Sequence, residues 1–255
     1  AMCGGTPLYL SAGFVIEEGF SREELERIVR SLAAAAKRAG VSVVTGDTKV
    51  VPRGAADGLF INTAGIGVVR HEGNLGVTAI RPGDAVIVSG PIGDHGAAIL
   101  SARQDFGLTS EVRSDSAPLN GLVEAILKAS PHIHCMRDAT RGGLGAILAE
   151  LAQQSGLRVT VQEKAIPVRD AVRGICEILG FDPLFLANEG RMALFCPEAE
   201  AQAVLTAMQA QELGREAALI GTVTEDQRGR LVMETLLGSL REVDLPTGEL
   251  VPRIC

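Results

Sequence analysis

Hydrophobic residues near the N-terminus recur at helical spacing in the stretch SREELERIVRSLAAAAKRAG. The repeating apolar residues are Leu25, Ile28, Val29 and Leu32. Ser21, followed three residues later by Glu24, has the arrangement of a capping box, and Gly40 is a typical helix stop. The pattern therefore predicts an amphipathic helix between Ser21 and Gly40.

Two strand patterns follow this helix. VSVVTG (41–46) predicts a short buried strand, and GLFINTAGIGVVR (58–70) predicts a longer one. Gly65 and Gly67 in the second strand indicate a bulge or a close backbone approach. The intervening GDTKVVPRG is predicted to be a loop.

Strands and helices alternate beyond the Pro-Gly turn of RPGDAVIVSG. The predicted strands are AVIVSG, RVTVQ, RMALFCP, AALIGTVT and RLVMET, with IHCMRDAT as a strand or a turn. The predicted helices are AAILSARQDF, PLNGLVEAILKAS, GLGAILAELAQQSG, RDAVRGICEILG and EAEAQAVLTAMQAQ. This alternation predicts a layered α/β fold. It suggests a first domain over residues 1–78, a second over 79–245, and a Pro- and Gly-containing tail over 246–255.

Composition and charge narrow the class of protein. A chain of 255 residues, 46% hydrophobic and 22% charged, can bury two cores or one large α/β core. Its net charge of -7 disfavours nucleic acid and anionic lipid as partners. The apolar runs break off before the roughly 18 residues that a membrane span needs, and the start AMCGGTPLYL lacks a basic region. We therefore expect a cytoplasmic protein without a membrane partner.

Two glycine-containing segments combine turns with charged side chains. SGPIGDHG, with Asp94 and His95, lies between a strand and a helix and could present backbone amides to an anion; the alternative is an ordinary turn in which Asp94 caps the helix. DATRGGLG presents Asp138, Thr140 and Arg141 before a helix, where they could hold a phosphate or simply cap that helix.

Two further segments carry candidate catalytic or ligand groups. VTGDTKV places Asp47 and Lys49 after a predicted strand, where a carboxylate could hold Mg²⁺ and an ammonium could meet a phosphate; a solvated charge pair is the alternative. ANEGR places Glu189 in a tight turn, as a general base, a metal ligand or a solvated residue. Carboxylates, a lysine, an arginine and glycine loops together suit Mg-nucleotide chemistry.

The five cysteines are widely spaced and include no C-x-x-C pair, which favours reduced thiols over a disulfide framework or a thiolate zinc site. Cys255 differs from the others because it is the last residue, at the end of the tail LPTGELVPRIC. About ten extended residues reach on the order of 30 Å. A thiol on such a tether could carry a group between two sites.

The motifs SGPIGDHGAAIL, VTGDTKVV, DATRGGL and LANEGR, together with the ending PRIC, resemble the HypE family of [NiFe]-hydrogenase maturation proteins. The likeness runs from PLYLSAGF to the last residue. It implies a two-domain PurM-like architecture, with an N-terminal ATP-binding and dimerisation domain, a C-terminal α/β domain and a flexible tail. It also implies ATP and Mg²⁺ as cofactors and a homodimer for the intact protein.

The resemblance further implies an ATP-dependent carbamoyl dehydratase. The carbamoyltransferase HypF would load a carboxamide onto Cys255, and dehydration would give a thiocyanate that supplies cyanide to iron on the HypC–HypD scaffold. Glu189 would remove protons from the carboxamide nitrogen. Asp47 would bind Mg²⁺ and Lys49 would contact phosphate. Asp94, His95, Asp138, Thr140 and Arg141 would belong to the nucleotide-binding motifs without individually assigned tasks.

One departure from the family lies at the N-terminus. The family carries a further segment, with glycine-rich and Asp-containing motifs, before the point where this chain begins with AMCGGTPLYLSAG. We therefore expect residues 79–245 to fold, residues 1–78 to form part of a sheet with an exposed edge, and ATP turnover by this chain to be weak or absent. The alternative functions are a small-molecule kinase or synthetase of the same superfamily, and a docking fragment without catalysis.

Overall fold

The computed structural model describes residues 1–103, 110–226 and 228–245. Its contacts divide the chain into two compact units between Arg70 and His71, except that Met2 groups with the second unit. This division comes before the limit near residue 79 suggested by the Pro-Gly turn. Residues 71–78 join the second unit through contacts such as the hydrogen bond from the Gly76 amide to the His134 carbonyl, at 2.9 Å.

The first unit is a three-stranded sheet with one helix. It comprises β1 (Gly5–Glu17), α1 (Arg22–Ala39), β2 (Ser42–Val51) and β3 (Leu59–Val69). The strand order is β2-β1-β3, with β1 parallel to β2 and antiparallel to β3. The predicted helix is confirmed: the Ser21 side chain accepts a hydrogen bond from the Glu24 amide at 3.4 Å, and Gly40 ends the helix in the left-handed conformation.

The prediction of a loop over GDTKVVPRG was wrong for most of that segment. β2 continues to Val51 because the long β1 provides hydrogen-bonding partners along its whole length, and Asp47 and Lys49 pair with Gly13 and Val15. The strand is also exposed rather than buried. A local pattern cannot show how long the neighbouring strand is.

The predicted close approach in the third strand is confirmed at Gly67. A Cβ atom on this residue would lie 2.6 Å from the Thr6 carbonyl oxygen. The pairing of β1 with β3 changes register beside this point, between Pro7 and Tyr9.

The second unit has a seven-stranded sheet of order β10-β9-β6-β8-β4-β7-β5, in which only β6 and β9 are parallel neighbours. Its strands are β4 (Asp84–Val88), β5 (Cys135–Asp138), β6 (Arg158–Gln162), β7 (Met192–Pro197), β8 (Ala218–Thr224), β9 (Leu231–Glu234) and β10 (Leu240–Glu242). Its helices are α2 (Asp94–Ala102), α3 (Asn120–Ala129), α4 (Gly143–Ser155), α5 (Asp170–Leu179) and α6 (Glu198–Gln209).

Both faces of this sheet are buried. In β4, Val86 and Val88 face one core with residues of α4, whereas Ala85 and Ile87 face another core with residues of α3 and α6. This two-sided burial explains why AVIVSG is continuously apolar instead of alternating. A third, smaller core joins α2 to α5.

The α/β class and the two-unit organisation predicted from the sequence are confirmed. The structure differs from the prediction at α2, which begins at Asp94, before the predicted start at Ala97. It also has a strand, β10, that was not predicted at all. None of the helices in the described ranges combines the length and the apolar run that a bilayer crossing requires.

Candidate active site

Asn188 holds three of the motifs together in the second unit. Its side chain is fully buried, and its Oδ1 accepts a hydrogen bond from the Gly93 amide at 2.7 Å. Its Nδ2 donates to the carbonyl oxygens of Ala139 and Leu186, each at 3.0 Å. The segments SGPIGDHG, DATRGG and ANEGR, which are distant in sequence, therefore meet at one buried amide.

The glycine loop uses its backbone donors inside the protein. The amides of Ile92, Gly93 and Gly96 donate to Pro167, Asn188 and Ala187, respectively. These three amides are engaged and do not point at an external anion in this arrangement.

The helix after this loop does not begin with Asp94 as its N-cap, which was the alternative interpretation of SGPIGDHG. The N-cap of α2 is Gly93, with φ of 86°, and Asp94 is the first helical residue. Helix capping by Asp94 is therefore wrong.

Asp94 is a buried carboxylate with one ionic partner. Its Oδ2 accepts a hydrogen bond from Arg169 Nε at 3.1 Å, whereas its Oδ1 has no hydrogen-bond partner among the residues that the structure describes. Burial raises the pKa of Asp94, an effect that Arg169 and Arg191 partly offset and that Asp115 reinforces. Protonation of the Asp94 carboxylate, or a hydrogen-bond donor placed at its Oδ1, would therefore stabilise it.

His95 and the DATRGG segment complete this surface. His95 Nδ1 lies 2.8 Å from Ser114 Oγ, which ties the start of α2 to the segment before α3. Thr140 Oγ1 donates to Asp138 Oδ2 at 2.8 Å, and Arg141 is exposed in the next turn. The N-cap of α4 is Gly142 without a side-chain cap, so capping by Asp138 or Thr140 is wrong.

Glu189 is half-buried, and a segment that none of the sequence motifs includes fixes its backbone. Its amide donates to Asp115 Oδ1 at 3.0 Å, and its carbonyl accepts from the Ala117 amide at 3.4 Å. These contacts do not engage the Glu189 carboxylate. Sequence reasoning missed Asp115, because an aspartate in SDSAPLN has no spacing signal that connects it to Glu189.

Gly190 and Arg191, which follow Glu189, also lie against Asp115. A Cβ atom on Gly190 would lie 1.9 Å from the Asp115 carbonyl oxygen, so only glycine fits without displacement. Arg191 donates from Nε to the Pro91 carbonyl at 2.9 Å and lies 3.8 Å from Asp115 Oδ2. Asp94, Asp115 and Arg191 also line a cavity of about 500 Å³.

Asp47 and Lys49 belong to the first unit. Both lie on exposed β2, two residues apart and therefore on the same face of the strand. Asp47 Oδ1 accepts a hydrogen bond from the Thr48 amide at 2.8 Å. A carboxylate and an ammonium thus face solvent side by side, where they fit a cation and a phosphate, respectively.

The remaining candidates are thiols and histidines. Cys255, the carrier predicted from the sequence, lies outside the described residues. Burial raises the pKa of Cys176 to about 11 and of Cys196 to about 12, so neither is a reactive thiolate near neutral pH. His134 Nδ1 lies 2.8 Å from Oδ2 of buried Asp84, which engages this histidine inside the second unit.

The chain is similar to proteins of a known family. The N-terminal domain of the AIR synthase related proteins matches residues 1–69, and their C-terminal domain matches residues 81–234. The carbamoyl dehydratase HypE of Azotobacter vinelandii is 54% identical over 255 residues, covering 100% of this chain and 75% of the relative.

Two solved structures extend the likeness to three dimensions. A crystal structure of the hydrogenase maturation protein HypE in complex with ATP has a TM-score of 0.94 and 48% identity, covering 100% of this chain and 77% of the other. A HypE–HypF complex has a TM-score of 0.92 and 43% identity, covering 96% and 80%. The chain therefore belongs to the AIR synthase related proteins and, among them, to the HypE family of hydrogenase maturation carbamoyl dehydratases.

Proposed function

We propose that this protein carries a carboxamide on Cys255 and dehydrates it to a thiocyanate. The observation that supports the proposal most directly is the fixed backbone of Glu189, whose amide and carbonyl are both held while its carboxylate is left to act. A positioned carboxylate is the group that a proton abstraction requires. The family name, carbamoyl dehydratase, supplies the reaction class.

The proposed step removes one oxygen and two protons from an S-carboxamide. The carbon–oxygen bond breaks, the nitrogen loses both protons, and a carbon–nitrogen triple bond forms on the sulfur of Cys255. ATP, when bound, supplies the phosphoryl group with which that oxygen leaves, so the products besides the thiocyanate are ADP and phosphate. Glu189 accepts one of the two protons from the nitrogen and passes it to solvent, and the other proton leaves with the phosphate.

The charged pair on β2 would hold the nucleotide. Lys49 would contact phosphate as a point charge, and Asp47 would bind Mg²⁺ through its carboxylate. Their exposure and common strand face suit both roles. We propose Asp94, His95, Asp138, Thr140 and Arg141 as further residues of the nucleotide and substrate surface.

The proposal assigns a task to each part of the chain. Residues 1–78 would form part of an ATP-binding and dimerisation domain, residues 79–245 the α/β domain with Glu189, and residues 246–255 the carrier tail. HypF would load the carboxamide, as the solved HypE–HypF complex suggests. The HypC–HypD scaffold would receive the nitrile for iron in the cytoplasm, and the intact protein would be a homodimer.

Intact mass spectrometry tests the proposal. This chain, and a version extended to the length of its relatives, would be incubated with HypF, carbamoyl phosphate, ATP and Mg²⁺. We expect the mass of one carboxamide to be gained and the mass of one water then to be lost in the extended protein. Peptide mapping should place both changes on Cys255.

Two substitutions with matched controls separate the steps. Cys255→Ala should abolish the first mass change, whereas Cys3→Ala, at an exposed cysteine, should leave it intact. Glu189→Gln should retain the carboxamide but not lose water, whereas Glu212→Gln, at an exposed glutamate, should behave as wild type. ATP consumption by Cys255→Ala at the wild-type rate would instead support a small-molecule kinase.

A further inference from the structure

We infer that Asp115 is a positioning residue for Glu189 in the proposed dehydration. The inference rests on the proposed function, since it assigns Asp115 a task in the same step. It adds a residue from the segment 110–117, which none of the sequence motifs contains. Asp115 acts through Glu189 and need not touch the substrate.

The geometry of the contact carries the inference. Asp115 Oδ1 accepts from the Glu189 amide at 3.0 Å, and the Ala117 amide donates to the Glu189 carbonyl at 3.4 Å. Both peptide groups of Glu189 are therefore held by one short segment. The backbone position of the proposed base is then fixed, and only the rotation of its side chain remains.

Burying the Asp115 carboxylate against the Glu189 amide costs desolvation free energy. This cost favours a specific role for the contact over a contribution to stability alone. Its side chain is only 1% exposed, and its Oδ2 has no hydrogen-bond partner among the described residues. Arg191 lies 3.8 Å from that oxygen, beyond hydrogen-bond distance, and is itself bound to the Pro91 carbonyl. A buried carboxylate with one unsatisfied oxygen is unfavourable for stability alone.

The close approach at Gly190 makes the arrangement tight. The Asp115 carbonyl oxygen occupies the place that a Cβ atom on Gly190 would take. The Ser114 hydroxyl, one residue earlier, lies 2.8 Å from His95 Nδ1 and anchors the segment to α2. The segment 114–117 thus joins the start of α2 to the turn that carries Glu189.

Precise placement of a base has a large effect on rate. A misplacement of about 1 Å can lower a rate by about 10²-fold. Asp115→Ala removes the acceptor for the Glu189 amide and should therefore lower the rate of water loss by about 10²-fold. The KM for ATP should not change, because the loss concerns proton abstraction and not nucleotide binding.

Asp115→Asn separates the positioning of Glu189 from the effects of the Asp115 charge and of a general loss of structure. Asp115→Asn keeps an oxygen acceptor at the same place, so we expect it to restore the rate to within a few-fold of wild type. Hydrogen exchange at the Glu189 amide should be slow in wild type and in Asp115→Asn and fast in Asp115→Ala. Ser116→Ala, at an exposed residue of the same segment, is the matched control.

The outcomes distinguish this inference from the proposed function. If the wild-type protein, in the version extended to the length of its relatives, loses no water after loading, the proposed function fails. If wild type reacts and a folded Asp115→Ala reacts equally fast, only the positioning role fails. If Asp115→Ala does not fold, Asp115→Asn decides: a loss of about 10²-fold in this folded variant would also overturn the inference.

Discussion

Asn188 Oδ1 accepts a hydrogen bond from the Gly93 amide at 2.7 Å, across 95 positions of sequence. The same side chain donates to two carbonyls, so both of its N–H donors and one acceptor site of its oxygen are used in a fully buried place. Sequence motifs that individually resemble ordinary turns become one site through this contact.

Replacing Asn188 with alanine should destabilise the second unit. The change leaves the Gly93 amide and the Ala139 carbonyl with fewer partners, and an unsatisfied buried group costs roughly 1–3 kcal/mol. Urea unfolding followed by circular dichroism should show this decrease in the free energy of unfolding. Gln202→Ala, at an exposed residue of α6, should change it far less.

Gly190→Ala should displace the turn that carries Glu189. The new Cβ atom would lie 1.9 Å from the Asp115 carbonyl oxygen, which is backbone and cannot rotate away. We expect faster hydrogen exchange at the Glu189 amide and loss of most dehydration activity.

Gly174→Ala is the matched control for Gly190→Ala. This residue lies in α5, and a Cβ atom there would have no neighbour within 4 Å among the residues that the structure describes. The change should be neutral or stabilising by up to about 1 kcal/mol, because alanine is the better helix former. Equal stability and activity of the two alanine variants would contradict the steric interpretation.

Asp94 should make stability depend on pH. Burial raises the pKa of Asp94 above its unfolded value, so its contribution is fully present below the unfolded pKa and is lost as the pH rises through the folded pKa. Relative to Asp94→Asn, wild type should therefore lose stability as the pH rises from the unfolded pKa of aspartate through the higher folded pKa. Unfolding titrations over this range measure the difference, with exposed Asp170→Asn as the control.

Glu17 should show the opposite dependence in the first unit. The amides of Gly54 and Gly58 donate to its carboxylate and lower its pKa. The stabilisation is present above the unfolded pKa and is lost as the pH falls through the folded pKa. Hydrogen exchange at Gly58 should accelerate in acid in wild type but depend less on pH in Glu17→Gln, and Glu18→Gln should follow wild type. An identical pH profile in Glu17→Gln would contradict this role.

Local patterns determined most of the secondary structure and the class of chemistry. Ser21, Glu24 and Gly40 fixed α1 because a capping box and a left-handed stop act between near neighbours. The continuous apolar run of β4 indicated a strand, and the structure explains the run by cores on both sides of it. The motif around Glu189 left a general base, a metal ligand and a solvated residue open, and the catalytic role that the resemblance implies remains a proposal.

Only the tertiary structure decided which residues meet. The pairing of Asp115 with Glu189 spans 74 positions, and the full length of β2 depends on the partners that β1 offers. Neither follows from periodicity, because hydrogen bonds between distant segments depend on how the chain returns to the same place. Glycine at 190 was visible in the sequence, but its reason is the backbone of Asp115, which only the folded chain brings against it.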